Sequence, residues 1–532
     1  MTNFFIVLNQ LTISDLKKRF PLLKKKGKKP TRKIGFIHYI YDDITRNHRL
    51  YWNKLSSIEK KAVAEVIYQT PDESGNLSFN AYHFKAKYNR LPTYFTRHHY
   101  YGFIADKKKE KTSYLMLFFY QNNLPTALVP LMKHYVEKPE AAGITIVTED
   151  KLPKTIHHKL KSHHKKRAGA IRTPKIKILY TEEMVSYEID ALLRLIDTGQ
   201  CTLCEQTLHV TQATLQKIDE LLLEGDYYLP EDDWGLAKYE GSSIRPIRSF
   251  AWPLLLQESG LVKRVGKKIQ LTVEGKKALN APLNEIVSVL YQRWRNKKVI
   301  DEFSRIDTIK GQAGYIMTAV PQRKKAIERV LQQCPVNQWI AIDSLFRYMK
   351  VNGSELRVCQ QEWKLYISER DYGNLGNREN GENFEILEGR YLLVYLFEYL
   401  ATIGLIDIAY TVPYLVRNDY GDLWGTDDLA HLSRYDGLLY FRINPLGAYC
   451  LGLAQQYQPS IIEKKPALVD LGEARLLRCY NETFAKMLAN HLATKKYCMH
   501  TGGLTLIIPE KTKKQFIKGL QNLGYIYPQE KL

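Results

Sequence analysis

The chain has 532 residues, 45% of them apolar, which is enough for several packed domains and excludes a disordered protein. Its net charge of +22 predicts a polyanionic partner. Two segments supply 19 of these 22 charges: residues 1–50 contain twelve Lys and Arg against three Asp and Glu, and residues 151–178 contain ten against none.

Cysteine usage and hydropathy point to a reducing compartment and away from a membrane. Seven cysteines are scattered along the chain, which argues against a disulfide framework. The N-terminal MTNFFIVLNQLTISDLKK lacks the basic region and cleavage site of a signal peptide. The longest apolar run, Tyr391–Tyr410, is interrupted by Glu398 and Asp407, so a core helix is expected. We therefore expect a cytoplasmic protein without a membrane partner.

Residues 1–50 are predicted to form two helices joined by the basic loop KKKGKKP, with Thr12 or Ser14 as the first N-cap. This pattern resembles a SAP-like helix–loop–helix, a module of many DNA-binding proteins. A solvated basic arm is the alternative. The predicted phosphate contacts of this segment are Lys24, Lys25, Lys26, Lys28, Lys29, Arg32 and Lys33.

Residues 51–149 are predicted to form a first winged helix. LSSIEKKAVAEVIYQ has the period of an amphipathic helix, and SFNAYHFKAKYNR is predicted to be a recognition helix with Lys85 and Lys87 outward. The apolar run Thr112–Tyr120 is predicted to be a core strand.

Residues 150–180 are predicted to be a solvated basic linker. Lys165, Lys166 and Arg167 are its candidate phosphate contacts. Two His pairs lie in the linker, but a metal site is disfavoured because nothing there fixes the ligands in place.

Residues 181–280 are predicted to form a second winged helix. The helix Phe250–Glu258 is stopped by Gly260 and Leu261, and Val262–Val265 then forms a strand. A turn at Gly266 leads to a second strand in which Ile269, Leu271 and Val273 alternate with polar residues. The hairpin tip is predicted to contact duplex phosphates, in preference to being only a solvated face, through Lys263, Arg264, Lys267 and Lys268.

The hairpin pattern recurs in residues 322–454, which follow a helical connector at 281–321 and are predicted to form a third winged helix. The spacing of Phe441, Ile443, Gly447 and Leu451 repeats that of the second winged helix, namely of Ile269, Leu271, Gly275 and Leu279. The second copy carries an acidic insertion, NDYGDLWGTDDLAHLSRYDG, which favours a protein partner for this domain.

Residues 455–532 are predicted to form a small α/β domain. EARLLRCYNETFAKMLANHLATK is predicted to be helical and LTLIIP to be a strand. A helix in EKTKKQFIKGLQNLGYIYP is predicted to end at Gly524 and to be followed by a last strand.

These elements predict an α+β, mainly α fold of tandem winged-helix domains with a C-terminal α/β piece. GLVKRVGKKIQLTVEGKKAL, LLYFRINPLGAYCLGL and LTLIIPEKTKKQFIKGLQNLGYIYP resemble the helicase-associated winged-helix region found ahead of the motor in bacterial XPB-type helicases. The chain has no GxxxxGK[ST] loop and no motor half. The resemblance therefore implies nucleic-acid engagement or partner docking, without ATP hydrolysis.

Three clusters imitate catalytic or metal sites, and each has a simpler structural explanation. Cys201, Cys204 and His209 are metal-like, but no second CxxC pair exists to complete a zinc site. Asp343 with Glu362 and Lys364 imitates a metal-dependent nuclease, but Asp343 is predicted to lie in the first turn of a helix. The pair Asp427–Asp428 follows Thr426 and reads as a capped helix start. No catalytic residue, metal or cofactor is predicted.

The leading hypothesis is a non-enzymatic protein that binds nucleic acid, with double-stranded DNA as the expected form. The basic arm, the linker and the wing would contact the phosphate backbone, beside a separate helicase or nuclease. The alternatives are a protein–protein scaffold built from winged helices and a divergent metal-dependent nuclease.

Overall fold

The computed structural model describes residues 3–24, 29–71, 75–96, 113–120, 122–156, 175–205, 209–229, 244–298, 300–376, 383–417, 419–421, 423–426, 429–459 and 473–528. About 46% of the chain is helix and 13% is strand, so the predicted mixture of helix and strand, with more helix, is confirmed. The chain divides into two compact units, residues 1–460 and 461–532. No helix among the described residues is long and apolar enough to cross a membrane.

The N-terminal part of the first unit is mainly helical. Its elements are α1 Asn3–Gln10, α2 Ile13–Arg19, α3 Lys33–Asn53, α4 Ser57–Ile67, β1 Leu77–Ser78, α5 Ala81–Tyr88, α6 Thr93–Thr96, β2 Asn123–Leu124 and α7 Val129–Met132. Capping boxes start two of these helices, at Thr12 with Asp15 and at Ser56 with Glu59. One hydrophobic core runs from Phe4 to Val136, so the basic helix–loop–helix is packed into this part of the unit.

The predicted core strand at Thr112–Tyr120 is wrong. The described part of this run forms a 3₁₀ turn at Tyr114–Leu117. Its burial was predicted correctly, because Leu115, Leu117 and Phe118 are fully buried. The run is apolar throughout, so its sequence signals burial but has no period that separates strand from helix.

Two stretches of the unit then repeat one order of elements. Two strands, β3 Ile146–Val147 and β4 Lys177–Leu179, precede the first of these stretches. The first stretch, repeat A, is residues 181–278, and its elements are α8 Thr181–Asp197, α9 Gln212–Leu221, α10 Arg248–Glu258, β5 Val262–Val265, β6 Lys268–Leu271 and α11 Val273–Ala278. The segment Cys201–Leu203 pairs with β6 through an antiparallel bridge between Thr202 and Lys268. Val273, predicted to be half-buried in the strand, instead begins α11 and is 74% exposed.

Repeat B is residues 320–450. It follows α12 Leu283–Trp294 and β7 Ile309–Lys310, and its elements are α13 Val320–Leu331, β8 Trp339–Ala341, α14 Ile342–Asn352, β9 Tyr366–Ile367, α15 Glu388–Val394, β10 Ile406–Tyr410, β11 Leu438–Ile443 and α16 Pro445–Cys450. A π-helical turn, Tyr395–Leu400, continues α15. The stretch WIAIDSLFRYMKVNG begins as strand β8 and continues as α14, which Gly353 caps at its C-terminal end.

Both repeats run helix, an extended segment (strand β8 in repeat B, the bridged residues 201–203 in repeat A), helix, helix and hairpin, followed by a short helix; in repeat B the short strand β9 lies between the second and third helices. In each, the extended segment pairs with the second strand of the hairpin: Thr202 with Lys268 in repeat A, and Ile340 with Phe441 in repeat B. The sheet of repeat B has the order β3-β8-β11-β10-β4, so strands from before repeat A form both of its edges. Repeats A and B therefore belong to one structural unit, in which buried side chains of both repeats form a single hydrophobic core.

A glycine in the short helix after each hairpin, Gly275 in α11 and Gly447 in α16, packs closely against the backbone at the start of that hairpin. A Cβ on Gly275 would lie 2.0 Å from Leu261 O, and one on Gly447 would lie 1.9 Å from Leu405 O. Side chains of Thr272 and Asn444 accept hydrogen bonds from these glycine amides, at 3.0 and 2.9 Å. The repeated glycine is thus required by close backbone approach.

The third helix of each repeat is buried. Nine of the eleven residues of α10 are buried, as are all residues of α15 and of the π-helical turn. Helix α10 packs against the π-helical turn. Phe397 of that turn stacks on Tyr227 with ring centroids 4.3 Å apart, and Trp294 of α12 lies 5.2 Å from both Tyr395 and Tyr399. The core that repeats A and B share therefore lies where their third helices meet.

The second unit is a three-stranded antiparallel sheet with two helices. Its elements are β12 Ala474–Arg478, α17 Glu482–Asn490, β13 Met499–His500, β14 Thr505–Pro509 and α18 Lys513–Asn522, with sheet order β12-β14-β13. The strand LTLIIP and the last helix were predicted correctly. Two predictions are wrong: residues 474–478 form a strand instead of a helix, and the described residues after Gly524 form no strand.

Candidate nucleic-acid interface

The β5–β6 hairpin has two faces with different environments. Val262 pairs with Leu271 on the inner face, and both are buried in the core of repeat A. Lys263 pairs with Gln270 and Val265 with Lys268 on the outer face, where all four are exposed. Gly266 makes the turn with φ of 61°, a conformation that favours glycine. The alternating pattern seen in the sequence therefore gives the predicted basic hairpin.

The hairpin is fixed to repeat A by the segment Cys201–Leu203. Leu203 N donates to Lys267 O at 2.8 Å, and Ile269 N donates to Cys201 O at 3.2 Å. The hydroxyls of Thr202, Thr211 and Thr214 bond to one another behind this segment. Because these backbone bonds tie the hairpin to residues 201–203, its tip is held in a defined position.

Two of the four predicted tip residues are held by neighbouring groups. Arg264 donates to Gly266 O and Glu205 O, each at 3.0 Å. Lys267 forms an ion pair with the Glu205 carboxylate, and both side chains are 71% exposed. An exposed pair of this kind is weak, so a phosphate can compete for Lys267. The sequence did not predict that Glu205, which follows Cys204, contacts these two basic side chains.

The other two tip residues, Lys263 and Lys268, are exposed on the outer face. Neither forms an ion pair with any residue that the structure describes. They lie diagonally across the hairpin, with Val265 and Gln270 between them. This arrangement presents two uncommitted ammonium groups and an amide on a rigid surface, as phosphate contacts require.

Of the predicted N-terminal phosphate contacts that the structure describes, three are exposed and one is hydrogen-bonded within the protein. Lys24, Lys29 and Arg32 are exposed. Lys33 is different, because its ammonium donates to Asn9 O at 2.6 Å. The predicted contacts Lys25, Lys26 and Lys28 lie outside the described residues.

The predicted recognition helix α5 is partly covered. Lys87 forms a 2.7 Å ion pair with Glu65 and its side chain is only 14% exposed, so its predicted outward position is wrong. Lys85 is exposed as predicted. On another side, α5 packs against α14, and Tyr82 donates to Glu385 at 3.1 Å. Of the two side chains predicted to face nucleic acid, only Lys85 is therefore available.

The ends of the predicted solvated linker belong to the fold. Lys177–Leu179 is strand β4, which pairs with β10, and Thr155 bridges to Lys175. The prediction of a solvated linker is wrong for these ends, because β4 pairs with the buried strand β10 and Thr155 bridges to Lys175. Residues 157–174, with the predicted contacts Lys165, Lys166 and Arg167, lie outside the described residues.

The acidic insertion of repeat B is turned inward where it is described. The Arg390 guanidinium is fully buried, donates to Asp419 at 2.7 and 2.9 Å and forms a 2.8 Å ion pair with Asp436. Asp436 also accepts hydrogen bonds from the backbone of Leu432 and Ser433. The argument that this insertion offers an acidic partner surface is therefore wrong for these two residues. Asp422, Asp427 and Asp428 lie outside the described residues.

Cys201, Cys204 and His209, the metal-like cluster of repeat A, do not form a metal site among the described residues. Burial raises the pKa of Cys201 to about 11, and Lys217 opposes this. Burial lowers the pKa of His209, and Arg305 lowers it further. Within the described ranges, no three His, Cys, Asp or Glu side chains converge as metal ligands. The thiol of Cys201 is therefore protonated near neutral pH.

Asp343, Glu362 and Lys364, the residues that resemble a nuclease motif, each contact a different neighbouring residue. Asp343 lies in the first turn of α14 and its Oδ1 is 2.7 Å from Arg417 Nη1. Glu362 accepts a 2.6 Å hydrogen bond from Asn383, and the Lys364 ammonium lies 5.0 Å from the Tyr315 ring. The motif residues sit on a helix and a 3₁₀ turn, and not on the adjacent strands that the nuclease arrangement requires.

Searches of protein-family models, of curated proteins and of solved structures find no match to this chain.

Proposed function

We propose that the chain is a non-enzymatic nucleic-acid-binding protein that contacts the phosphate backbone of duplex DNA through the β5–β6 hairpin. The observation that carries the proposal is the pair Lys263 and Lys268, exposed and uncommitted among the described residues on a hairpin with fixed geometry. Lys267, Lys85 and the exposed N-terminal residues Lys24, Lys29 and Arg32 add to the same electrostatic attraction.

The order of elements in repeats A and B supports a tandem winged-helix arrangement. In each, a helix, an extended segment, two further helices and a hairpin follow in this order, and the extended segment (residues 201–203 in repeat A, β8 in repeat B) pairs with the hairpin. In such domains the third helix usually enters the major groove. Here α10 and α15 are buried, so base reading by these helices is disfavoured. The proposed binding is therefore independent of DNA sequence.

The role proposed for the chain is accessory to a separate helicase or nuclease. This follows from the resemblance of the hairpin stretches to the helicase-associated region and from the missing phosphate loop. Binding without hydrolysis would position duplex DNA for a partner enzyme.

The test is duplex affinity measured by fluorescence anisotropy over a range of salt concentrations. Lys263→Gln/Lys268→Gln is expected to weaken binding roughly tenfold at about 0.1 M salt and to reduce the log–log salt slope by about 2. The matched control is Lys495→Gln/Lys496→Gln, which removes the same charge from two exposed lysines of the second unit.

Two outcomes would contradict the proposal. One is a salt slope that is the same in the hairpin variant and the wild type. The other is an equal loss in the hairpin and control variants, since that would show a dependence on net charge alone.

A second candidate function, protein docking, is favoured by exposed aromatic side chains in and beside repeat B. Tyr315, Trp363, Tyr372 and Trp424 are 70%, 46%, 64% and 58% exposed. Tyr372 and Trp424 stack with centroids 5.2 Å apart. Large exposed aromatic groups are typical of protein interfaces. Affinity capture with wild type and Tyr372→Ser/Trp424→Ser is the test, and an identical set of retained proteins would exclude this role.

A further inference from the structure

A cleft of about 840 Å³ opens in the first unit on a surface that does not include the hairpin. Its walls come from the end of α3, from α4 and α5, from residues 135–143 and from α14. The side chains that matter to its chemistry are Trp52, Lys60, Lys61, Tyr88, Lys138 and Arg347. The volume lies within the range of about 300–1,000 Å³ that is usual for ligand sites.

The cleft is positively charged. Lys61, Lys138 and Arg347 are exposed, and none of them forms an ion pair with a residue in the described ranges. Lys87 also lines the cleft, but Glu65 neutralises it at 2.7 Å. The acids in the wall are Glu137 and Glu140. Four lysines and arginines thus remain against two carboxylates, which favours an anionic ligand.

Aromatic rings alternate with these cations along the wall. The Lys61 ammonium lies 4.8 Å from the Tyr88 ring centroid, and the Lys60 ammonium lies 5.8 Å from that of Trp52. Tyr88 is fixed by a 2.5 Å hydrogen bond to Glu65. A third ring, Tyr135, stacks on His48 and bonds to its Nδ1 at 2.8 Å. Tyr88 and Tyr135 are therefore held in place, and all three rings are half-buried, which leaves part of each ring accessible for stacking.

We propose that this cleft binds a single-stranded segment of nucleic acid. Phosphates would meet Lys61, Lys138 and Arg347, and bases would stack on Tyr88 and Trp52. A basic groove interleaved with aromatic rings is the common solution for single strands, because every base offers a π-face. A duplex keeps its bases stacked inside and cannot use these rings. The site and the form of its ligand both differ from those proposed for the hairpin.

The first experiment measures anisotropy of a labelled twelve-nucleotide oligothymidine with the full chain. Lys61→Gln/Arg347→Gln is expected to weaken binding about tenfold and to reduce the log–log salt slope by about 1.4, since each phosphate contact of a single strand contributes about 0.7. Both residues are exposed, so folding is not at risk. The hairpin variant Lys263→Gln/Lys268→Gln is the matched control and is expected to retain single-strand binding.

The second experiment tests stacking directly. Oligothymidine is expected to quench tryptophan fluorescence of the wild type, and Trp52→Phe is expected to remove part of that quenching while the other six tryptophans remain. Unchanged oligothymidine affinity and salt slope in Lys61→Gln/Arg347→Gln would overturn the proposal. Full displacement of the oligonucleotide by an equal concentration of thymidine monophosphate would also overturn it, by assigning the cleft to a small phosphate compound. Failure of the hairpin proposal is read separately, from duplex affinity.

Discussion

Lys324 shows how single charged residues organise the core of this protein. Its side chain is fully buried, and its ammonium lies 2.8 Å from Glu302 and donates to Trp294 O and Lys297 O at 3.0 and 3.1 Å. Two backbone carbonyls therefore accept hydrogen bonds from the ammonium, and the carboxylates of Glu302 and, at 3.8 Å, Glu258 balance its charge. A buried ammonium is tolerated only with this degree of satisfaction.

Lys324→Met is expected to lower the free energy of unfolding by about 3–5 kcal/mol, because the buried Glu302 carboxylate would lose the cation that balances its charge. Urea unfolding followed by circular dichroism measures the loss. The matched control is the exposed neighbour Lys325→Met, with an expected change within about 0.5 kcal/mol. Adding Glu302→Gln to Lys324→Met should recover part of the stability, and a further loss would contradict the pairing.

Glu388 introduces a dependence of stability on pH. Burial raises its pKa to about 7, although its carboxylate accepts a 3.1 Å hydrogen bond from Val358 N. Because the pKa is higher in the folded state than in the unfolded state, this group favours folding at low pH, and that contribution is lost as the pH rises to about 7.

Glu388→Gln is expected to stabilise the protein at pH 8, by up to about 2–3 kcal/mol, and to have little effect at pH 4.5. The measurement is urea unfolding between pH 4.5 and 8 for the variant and the wild type. An equal difference in stability at both ends of this range would contradict a raised pKa.

At the scale of elements, the hairpins of repeats A and B depend on the same contact between a glycine and a leucine carbonyl. Gly275→Ala and Gly447→Ala are each expected to cost about 2 kcal/mol or more, because the new Cβ would lie 2.0 or 1.9 Å from that oxygen. The control is Gly314→Ala, at a site with nothing within 4 Å. Thermal unfolding measures all three, and a harmless Gly447→Ala would show that the backbone there relaxes freely.

Local elements were predictable where the pattern is short-range. The hairpin Val262–Leu271 and the cap of α14 follow from alternation and from Gly353. The strand at Ala474–Arg478 was mistaken for helix, because it is defined by pairing with Thr505–Pro509, about thirty residues away. Strand β4 was missed for the same reason, since its partner β10 lies more than two hundred residues later.

The candidate site was predictable in part. Lys263 and Lys268 are exposed on the hairpin as the alternation indicated. The commitment of Lys87 to Glu65 and of Arg390 to two aspartates could not be predicted, because a charged residue reads as solvent-facing until its partner is located. The cleft at Lys61 and Arg347 was missed because its walls come from stretches almost three hundred residues apart.

At the scale of the whole molecule, the shared core of the first unit should make repeats A and B unfold together. Phe397 of repeat B is fully buried and stacks on Tyr227 of repeat A, and α10 packs against the π-helical turn that contains Phe397. A cavity at this ring removes contacts from both repeats at once. The second unit has its own separate core around Leu506 and Phe516.

Phe397→Ala is therefore expected to cost about 3–5 kcal/mol and to speed amide hydrogen exchange in the buried helices of both repeats. Exchange followed by mass spectrometry should show faster labelling in α8 of repeat A as well as in α13 of repeat B, with α18 of the second unit unchanged. Tyr315→Ala, which truncates a side chain that is 70% exposed, is the control and should leave all three helices protected. Faster exchange confined to repeat B would mean that the two repeats fold independently despite their common core.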